Sequence, residues 1–336
     1  MSQTFSQLGR IEALRQLYEG TPYRPFEDPL FFEAGQGDCI VSASALLLEG
    51  LDFNLVYFPL KHLGRKAVLR VTGELFAVMA EPRTLSVSLG VSAKLDFEQV
   101  KQIWSGIVAA AQEMGYAKVC LDLQPSNNGL VIALSANGSH AEAVSKSRPA
   151  ACSRDLICIS GRVGAAFLGL RVLEKECESF EKGRQDREAL EKNKMFVGAY
   201  LKPEMEPQLP SRLSESGITP SYGYFVTKGL ADALLRLGRD SSMGVKVYAD
   251  KIPFEGGSFA LGKQLDIDPI SAAMNGGEDF QLLYVVPISQ YESFRKDFQT
   301  FDIIGHLALS EVGSVLVSPD GLEHPIHARG WETEQQ

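Results

Sequence analysis

The chain lacks the patterns that mark several common classes of protein. It has no run of about 18 uncharged apolar residues to cross a bilayer, and its start, with Arg10 and Glu12 in an amphipathic stretch, has no apolar signal-peptide core. Positive charge is in the minority: 33 Lys and Arg stand against 42 Asp and Glu, a net charge of -9. That balance argues against a general nucleic-acid or anionic-membrane surface, because both need clustered cations. Cysteine is sparse and odd in number: Cys39, Cys120, Cys152, Cys158 and Cys177 form no Cys-x-x-Cys pair and no disulfide framework. The full phosphate-binding fingerprints are also missing. A cytoplasmic protein with reduced thiols and a small-molecule ligand is the expectation, without nucleic-acid or membrane partners.

What is present is ordinary globular composition, 45% hydrophobic and 22% charged over 336 residues, enough for about two domains. Apolar spacing predicts a helix over 6–19, ended by Gly20, and further helices over 61–79 and 97–114. Strands are expected at 85–91, 119–123 and 130–136, the last two flanking the turn Asn127-Asn128-Gly129. The two apolar runs of 31–48, around Glu33-Ala34-Gly35-Gln36-Gly37-Asp38, read as a β-hairpin rather than a phosphate loop, since no helix follows the glycines. A boundary is expected near 145–154. Beyond it, a strand at 156–160 runs through Gly161-Arg162-Val163-Gly164 into a small-residue helix, an arrangement suited either to presenting N–H groups to an anion or to close helix packing. The charge-dense 174–194 reads as solvated helix or loop, and 229–237 as a helix stopped by Gly238. Strands follow at 245–248, 282–286, 303–304 and 315–317. The alternation predicts an α/β (α+β) protein in two domains, 1–147 and 148–336.

One stretch stands out for chemistry. In Asn275-Gly276-Gly277-Glu278-Asp279-Phe280, two glycines run into two carboxylates at the mouth of the strand that follows. An acidic loop before a strand and a catalytic or binding wall are equally good readings of the pattern alone.

Several further segments keep company with it in order and spacing: Ser6-Gln7-Leu8-Gly9, Leu47-Leu48-Glu49-Gly50-Leu51-Asp52-Phe53, Pro59 through Ala67, Asp155 through Gly161, Leu201-Lys202-Pro203 and Gly330-Trp331. Together they resemble the thiamine-monophosphate kinase family of the aminoimidazole ribonucleotide synthetase-like superfamily, nearly end to end. The resemblance implies an N-terminal domain that binds ATP and dimerises through its sheet, a C-terminal α+β domain, and transfer of the γ-phosphoryl of ATP to thiamine monophosphate with Mg²⁺. Such transfer rests on carboxylates that hold the metal and align the phosphates.

Carried over residue by residue, the resemblance places metal-site acids at Glu27, Asp28, Glu74 and Asp122. Arg148, Trp104 and Thr227 fall at nucleotide-contacting positions, and Asp52, Glu278 and Trp331 on the substrate side. Three metal-binding Asp of the family are replaced, by Ala45, Phe225 and Lys228. Trp104 fits base stacking or core packing about equally. Lys228 reads either as a surface cation acquired after function was lost or, with Glu278, as a catalytic-site residue whose ammonium sits among Glu74, Asp122 and Asp28 in place of the metal. Two functional classes therefore remain: a kinase with reduced or altered activity, and an inactive homodimeric paralogue that binds a ligand.

Overall fold

A computed structural model describes residues 8–25, 30, 32–182 and 187–329. The chain divides into two compact units, Met1–Ser145 together with Glu206–Pro210, and Lys146–Met205 together with Ser211–Gln336. The return of 206–210 to the first unit has no counterpart in the sequence pattern.

In the first unit, helix α1 (Arg10–Tyr18) precedes strand β1 (Cys39–Leu48), helix α2 (Leu60–Ala77), strand β2 (Glu81–Ser92), helix α3 (Phe97–Glu113), strand β3 (Lys118–Ser126) and strand β4 (Val131–His140). The sheet order is β1-β4-β2-β3. Strands β2 and β3 are parallel, so their connection must cross over, and α3 makes that crossing. Its start is written in Asp96-x-x-Gln99: the Asp96 side chain accepts the Gln99 N–H at 2.8 Å and the Gln99 side chain accepts the Asp96 N–H at 2.9 Å. Leu63, Ala67, Val71 and Leu75 of α2 and Val100, Ile103 and Ile107 of α3 are buried with Val87, Leu89, Ile132 and Leu134 of the sheet. This is the apolar face that the helical spacing demanded.

Two expectations fail here for one reason, that strand pairing is non-local. Among the described residues of 32–48 no hairpin forms. Strand β1 pairs instead with β4, Cys39 opposite His140, while Gly35, Gly37 and Asp38 lie in a loop that closes on itself through Gly35 N–H to the Asp38 carboxylate at 2.9 Å. Nor do β3 and β4 pair across Asn127-Asn128-Gly129: β2 lies between them.

The second unit holds a seven-stranded sheet in the order β11-β10-β7-β9-β5-β8-β6. Its strands are β5 (Leu156–Ile159), β6 (Tyr222–Val226), β7 (Gly244–Tyr248), β8 (Gln281–Val286), β9 (Asp302–Ala308), β10 (Ser314–Val317) and β11 (Glu323–Pro325). The helices used below are α4 (Ala165–Glu181), α5 (Lys194–Leu201), α6 (Leu230–Ser241), α7 (Ser258–Leu265), α8 (Pro269–Asn275) and α9 (Tyr291–Asp297). Helices α6 and α8 cover one sheet face, burying Leu230, Leu234, Leu237, Ala273 and Met274 against Ile157, Ile159, Val247, Leu283, Val285 and Ile304. The charged stretch after Glu174 continues α4 to Glu181 and adds a short helix at Arg187–Lys192. Gly238 does not stop α6, which runs on to Ser241 and is ended by Ser242 at φ 54°. Among the described residues no helix is long and apolar enough to cross a membrane.

Candidate functional site

The loop 275–280 leaves α8 and enters β8, and its conformation is tightly determined. Gly277 has φ 77°, and a Cβ there would meet the Thr227 carbonyl at 2.7 Å. Glu278 and Phe280 also have positive φ, 65° and 55°, a left-handed backbone that side-chain-bearing residues adopt at some cost. The surroundings hold them there. The Glu278 N–H donates to the Thr227 carbonyl at 2.9 Å, and the Phe280 ring stands edge-on to Phe225, centroids 5.4 Å apart. The Asn275 side chain accepts the Arg329 N–H at 3.0 Å, fixing the chain just before Gly330-Trp331.

Asp279 explains the glycine turn of 161–164. Its carboxylate, 5% exposed, accepts the Gly164 N–H on both oxygens at 2.9 Å and the Ala166 N–H at 3.4 Å, at the first turn of α4. An anion does sit on the N–H groups that the sequence offered, and it belongs to the chain itself. Close packing holds as well, since Gly164 has φ 81° and a Cβ there would lie 2.9 Å from the Ala273 nitrogen. Gln281 and Ser160 complete the joint: the Ser160 hydroxyl donates to Gln281 Oε1 at 2.8 Å and accepts the Leu282 N–H at 2.9 Å. Asp279 is thereby committed to the start of α4, while its neighbour Glu278 is half-buried.

Glu278 is thus brought beside Thr227, about fifty positions earlier in the chain, and so close to Lys228 in the second unit. Thr227 is buried and Lys228 exposed. Phe225, where the resemblance would put an acid, is 2% exposed in an apolar setting beside Phe280. Arg148 is half-buried in the same unit, and burial pulls its guanidinium below the ordinary value. Burial likewise pushes the Cys158 thiol up to about 12, which leaves it unreactive.

The first unit distributes its candidates less favourably. Asp122 on β3 is paired with Arg10 of α1, Nη2 to Oδ1 at 2.6 Å, and the Arg10 Nε donates to the Leu123 carbonyl at 3.3 Å. Within the first unit the cation that meets Asp122 is Arg10. Ala45 lies in register with Leu134, and through it with Val87 and Leu121, on the helix-packed face. Asp122 follows Leu121 and therefore projects from the opposite face. Asp52 accepts the Leu48 N–H at 2.8 Å and so stabilises the turn after β1. Glu74 is half-buried on α2.

Trp104 is 1% exposed, donates its indole N–H to the Leu17 carbonyl at 2.7 Å and packs on Tyr18 with centroids 5.2 Å apart. Of its two readings the structure shows core packing, and neither ring face is free for a base. Glu27, Asp28 and Trp331 lie outside the described residues. The contacts of Arg10 and Asp279 were not legible in the sequence because their partners stand more than a hundred positions away.

Among the described residues, the candidates offer few ligands for a magnesium cluster. Ala45 and Phe225 offer no oxygen ligand, Asp122 is engaged by a guanidinium, and among the described residues no three His, Cys, Asp or Glu side chains converge to hold a metal.

Residues 26–140 match the family described as AIR synthase related protein, N-terminal domain. Among curated proteins, the thiamine-monophosphate kinase of Pyrococcus horikoshii is 25% identical over 273 residues, covering 80% of this chain and 78% of that protein. That of Bacillus subtilis is 20% identical, covering 86% and 84%. Among solved structures, AaThiL complexed with AMPPCP and TMP aligns over 99% of both chains with TM-score 0.71 at 19% identity. The hydrogenase maturation protein HypE of E. coli aligns over 97% of this chain and 98% of its own with TM-score 0.72 at 15% identity. At these identities the solved structures speak for the fold alone, a two-domain α/β architecture. The chain is thus similar over most of its length to thiamine-monophosphate kinases, and its residues 26–140 match the AIR synthase related N-terminal domain.

Proposed function

We propose that this protein is a thiamine-monophosphate kinase-like phosphotransferase that binds ATP and transfers its γ-phosphoryl group to thiamine monophosphate, giving thiamine diphosphate and ADP, with reduced or altered activity. The observation that carries this reading is the 275–280 loop. There Glu278 is held at φ 65° by its N–H bond to the Thr227 carbonyl, and the buried Asp279 ties the loop to the start of α4, a left-handed backbone that is held at some cost. In this reading Glu278, Asp52 and Trp331 contact the substrate, while Arg148 and Thr227 contact the nucleotide. Lys228 contributes a fixed positive charge beside Glu278, where the family has a metal-binding carboxylate. Magnesium has a weakened role or none, because the residues present supply few oxygen ligands. Two copies of the chain associate through the first unit.

A second reading is an inactive homodimeric paralogue that retains a ligand pocket. The Arg10–Asp122 pair and the burial of Phe225 favour it, since both remove negative charge from positions where a kinase would gather metal. The deciding experiment combines a phosphoryl-transfer assay using thiamine monophosphate, ATP and Mg²⁺ with nucleotide calorimetry in the presence and absence of the metal. Turnover lost in Glu278→Gln supports the kinase. Metal-independent nucleotide binding without turnover supports the paralogue.

A further inference from the structure

The second unit carries a basic, aromatic depression that takes no part in the loop just described. Along β5, β7 and β9, Ile157, Val247 and Ile304 point into the helix-packed core, so their neighbours Leu156, Tyr248 and Ile303 lie on the opposite face of the sheet. There they floor an open depression of about 750 Å³. Three cations stand around it, Arg154, Lys251 and Arg295, against the single carboxylate Asp302, a lining charge of 3 − 1 = +2 with His306 neutral. On a chain of net charge -9 this is a local reversal of sign.

The cations are weakly engaged. Arg154 makes no ion pair with a described residue. Its backbone is held at φ 76°, with its N–H given to the Leu307 carbonyl at 2.8 Å, which fixes it at the rim. Arg295 uses Nη1 on the Phe301 carbonyl at 3.2 Å, leaving its other N–H groups for a ligand. Lys251 meets Asp250 only at 3.9 Å, with both side chains more than half exposed, an interaction of little strength. Flat groups line the same space: the Tyr248 and His306 rings lie 5.8 Å apart at 31°, and Tyr291 is 38% exposed. The imidazole of His306 is held below its ordinary pKa by burial, then by Lys246 and Arg154, which marks an excess of positive potential.

We propose that this depression is a second small-molecule site, which takes a phosphorylated compound carrying a flat ring: Arg154, Lys251 and Arg295 hold the phosphate, and Tyr248 and Tyr291 pack against the ring. Guanidinium and ammonium donors around one anion give strong charge-assisted hydrogen bonds, and exposed aromatic faces supply ring contact. The volume suits a ligand of nucleotide size. The proposal does not depend on the activity of the loop at 275–280.

The test uses the full chain with three probes: AMP, ribose 5-phosphate and inorganic phosphate. Calorimetry is expected to show AMP binding more tightly than either other probe. Arg154→Ala with Lys251→Ala is expected to weaken AMP by about tenfold for each lost charge-assisted contact, with the unfolding midpoint unchanged. An independent readout follows the His306 ring in the wild-type protein by NMR. His306 faces Lys246 (paired with Glu323) and Tyr248 on β7, Arg154 before β5, Arg295 on α9 and Asp302 on its own strand. A phosphate bound among these groups raises the His306 pKa. The proposal is overturned if no probe binds, if phosphate alone binds as tightly as AMP, if AMP binds equally to the double variant, or if AMP leaves the His306 titration unmoved.

Discussion

The Gly-Gly-Glu-Asp loop of the second unit and the candidate acid Asp122 of the first unit are held in the fold in different ways. Around the loop, every unusual feature has a partner: positive φ at Glu278 is matched by its bond to Thr227, and Asp279 by the N–H groups at the start of α4. Around Asp122 on β3 the tie is weaker: its carboxylate meets Arg10 of α1 in a pair with both side chains about half exposed, and the strand position at 45 carries only a methyl group. A backbone device such as the loop depends on many mutually supporting contacts, so losing one part costs folding stability. A carboxylate that only holds an ion is not tied to the fold in that way and can be replaced freely once the ion is no longer needed.

The largest expected effect tests whether Phe225 has become structural. Phe225→Ala is expected to destabilise by about 3–5 kcal/mol, and Phe225→Asp by more, because a carboxylate there would be buried against Phe280 without a partner. Urea unfolding measures both, and an Asp variant of wild-type stability would break the comparison. Next, Asp279→Ala strips the α4 N-terminus of its acceptor and is expected to cost about 2–3 kcal/mol, with Asp279→Asn less harmful because the amide oxygen still accepts. Arg10→Gln is expected to cost under about 1 kcal/mol, since the pair is 54% and 43% exposed.

Returning Asp to position 45 is expected to add no Mg²⁺ affinity by calorimetry, even beside Arg10→Gln, because it projects from the other face of the sheet than Asp122. A gain in affinity would show that the metal side is closer to intact than its side chains suggest. The smallest effect is a pH term. The folded pKa of His306 lies below its unfolded value, so its contribution is fully present above about pH 6.5 and is lost as pH falls toward the folded pKa. His306→Gln is expected to flatten that part of the stability profile.

Local order was largely legible in the sequence. Helices α2 and α3 and strands β2, β5, β7 and β8 fall where apolar period and caps placed them, since those signals act over a few residues. Pairing was not. The turn residues around Gly37 and Gly129 suggested hairpins, yet a turn signal does not say which strand will lie alongside, and β4 inserts between β1 and β2. Gly238 looked like a helix stop, but the tertiary packing of α6 carried it one turn further.

At the candidate site the same division holds. Glu278 was visible because its glycines and its strand are neighbours in the chain. The anchoring of Asp279 at Gly164, the capture of Asp122 by Arg10 and the burial of Trp104 depend on contacts 87 to 115 residues apart. By itself the sequence determined most of the elements and the place of the Gly-Gly-Glu-Asp loop before its strand, because those depend on local residue order. Only the tertiary structure decided which carboxylates remain available for chemistry, because a charge is spent or free according to what lies across from it in space.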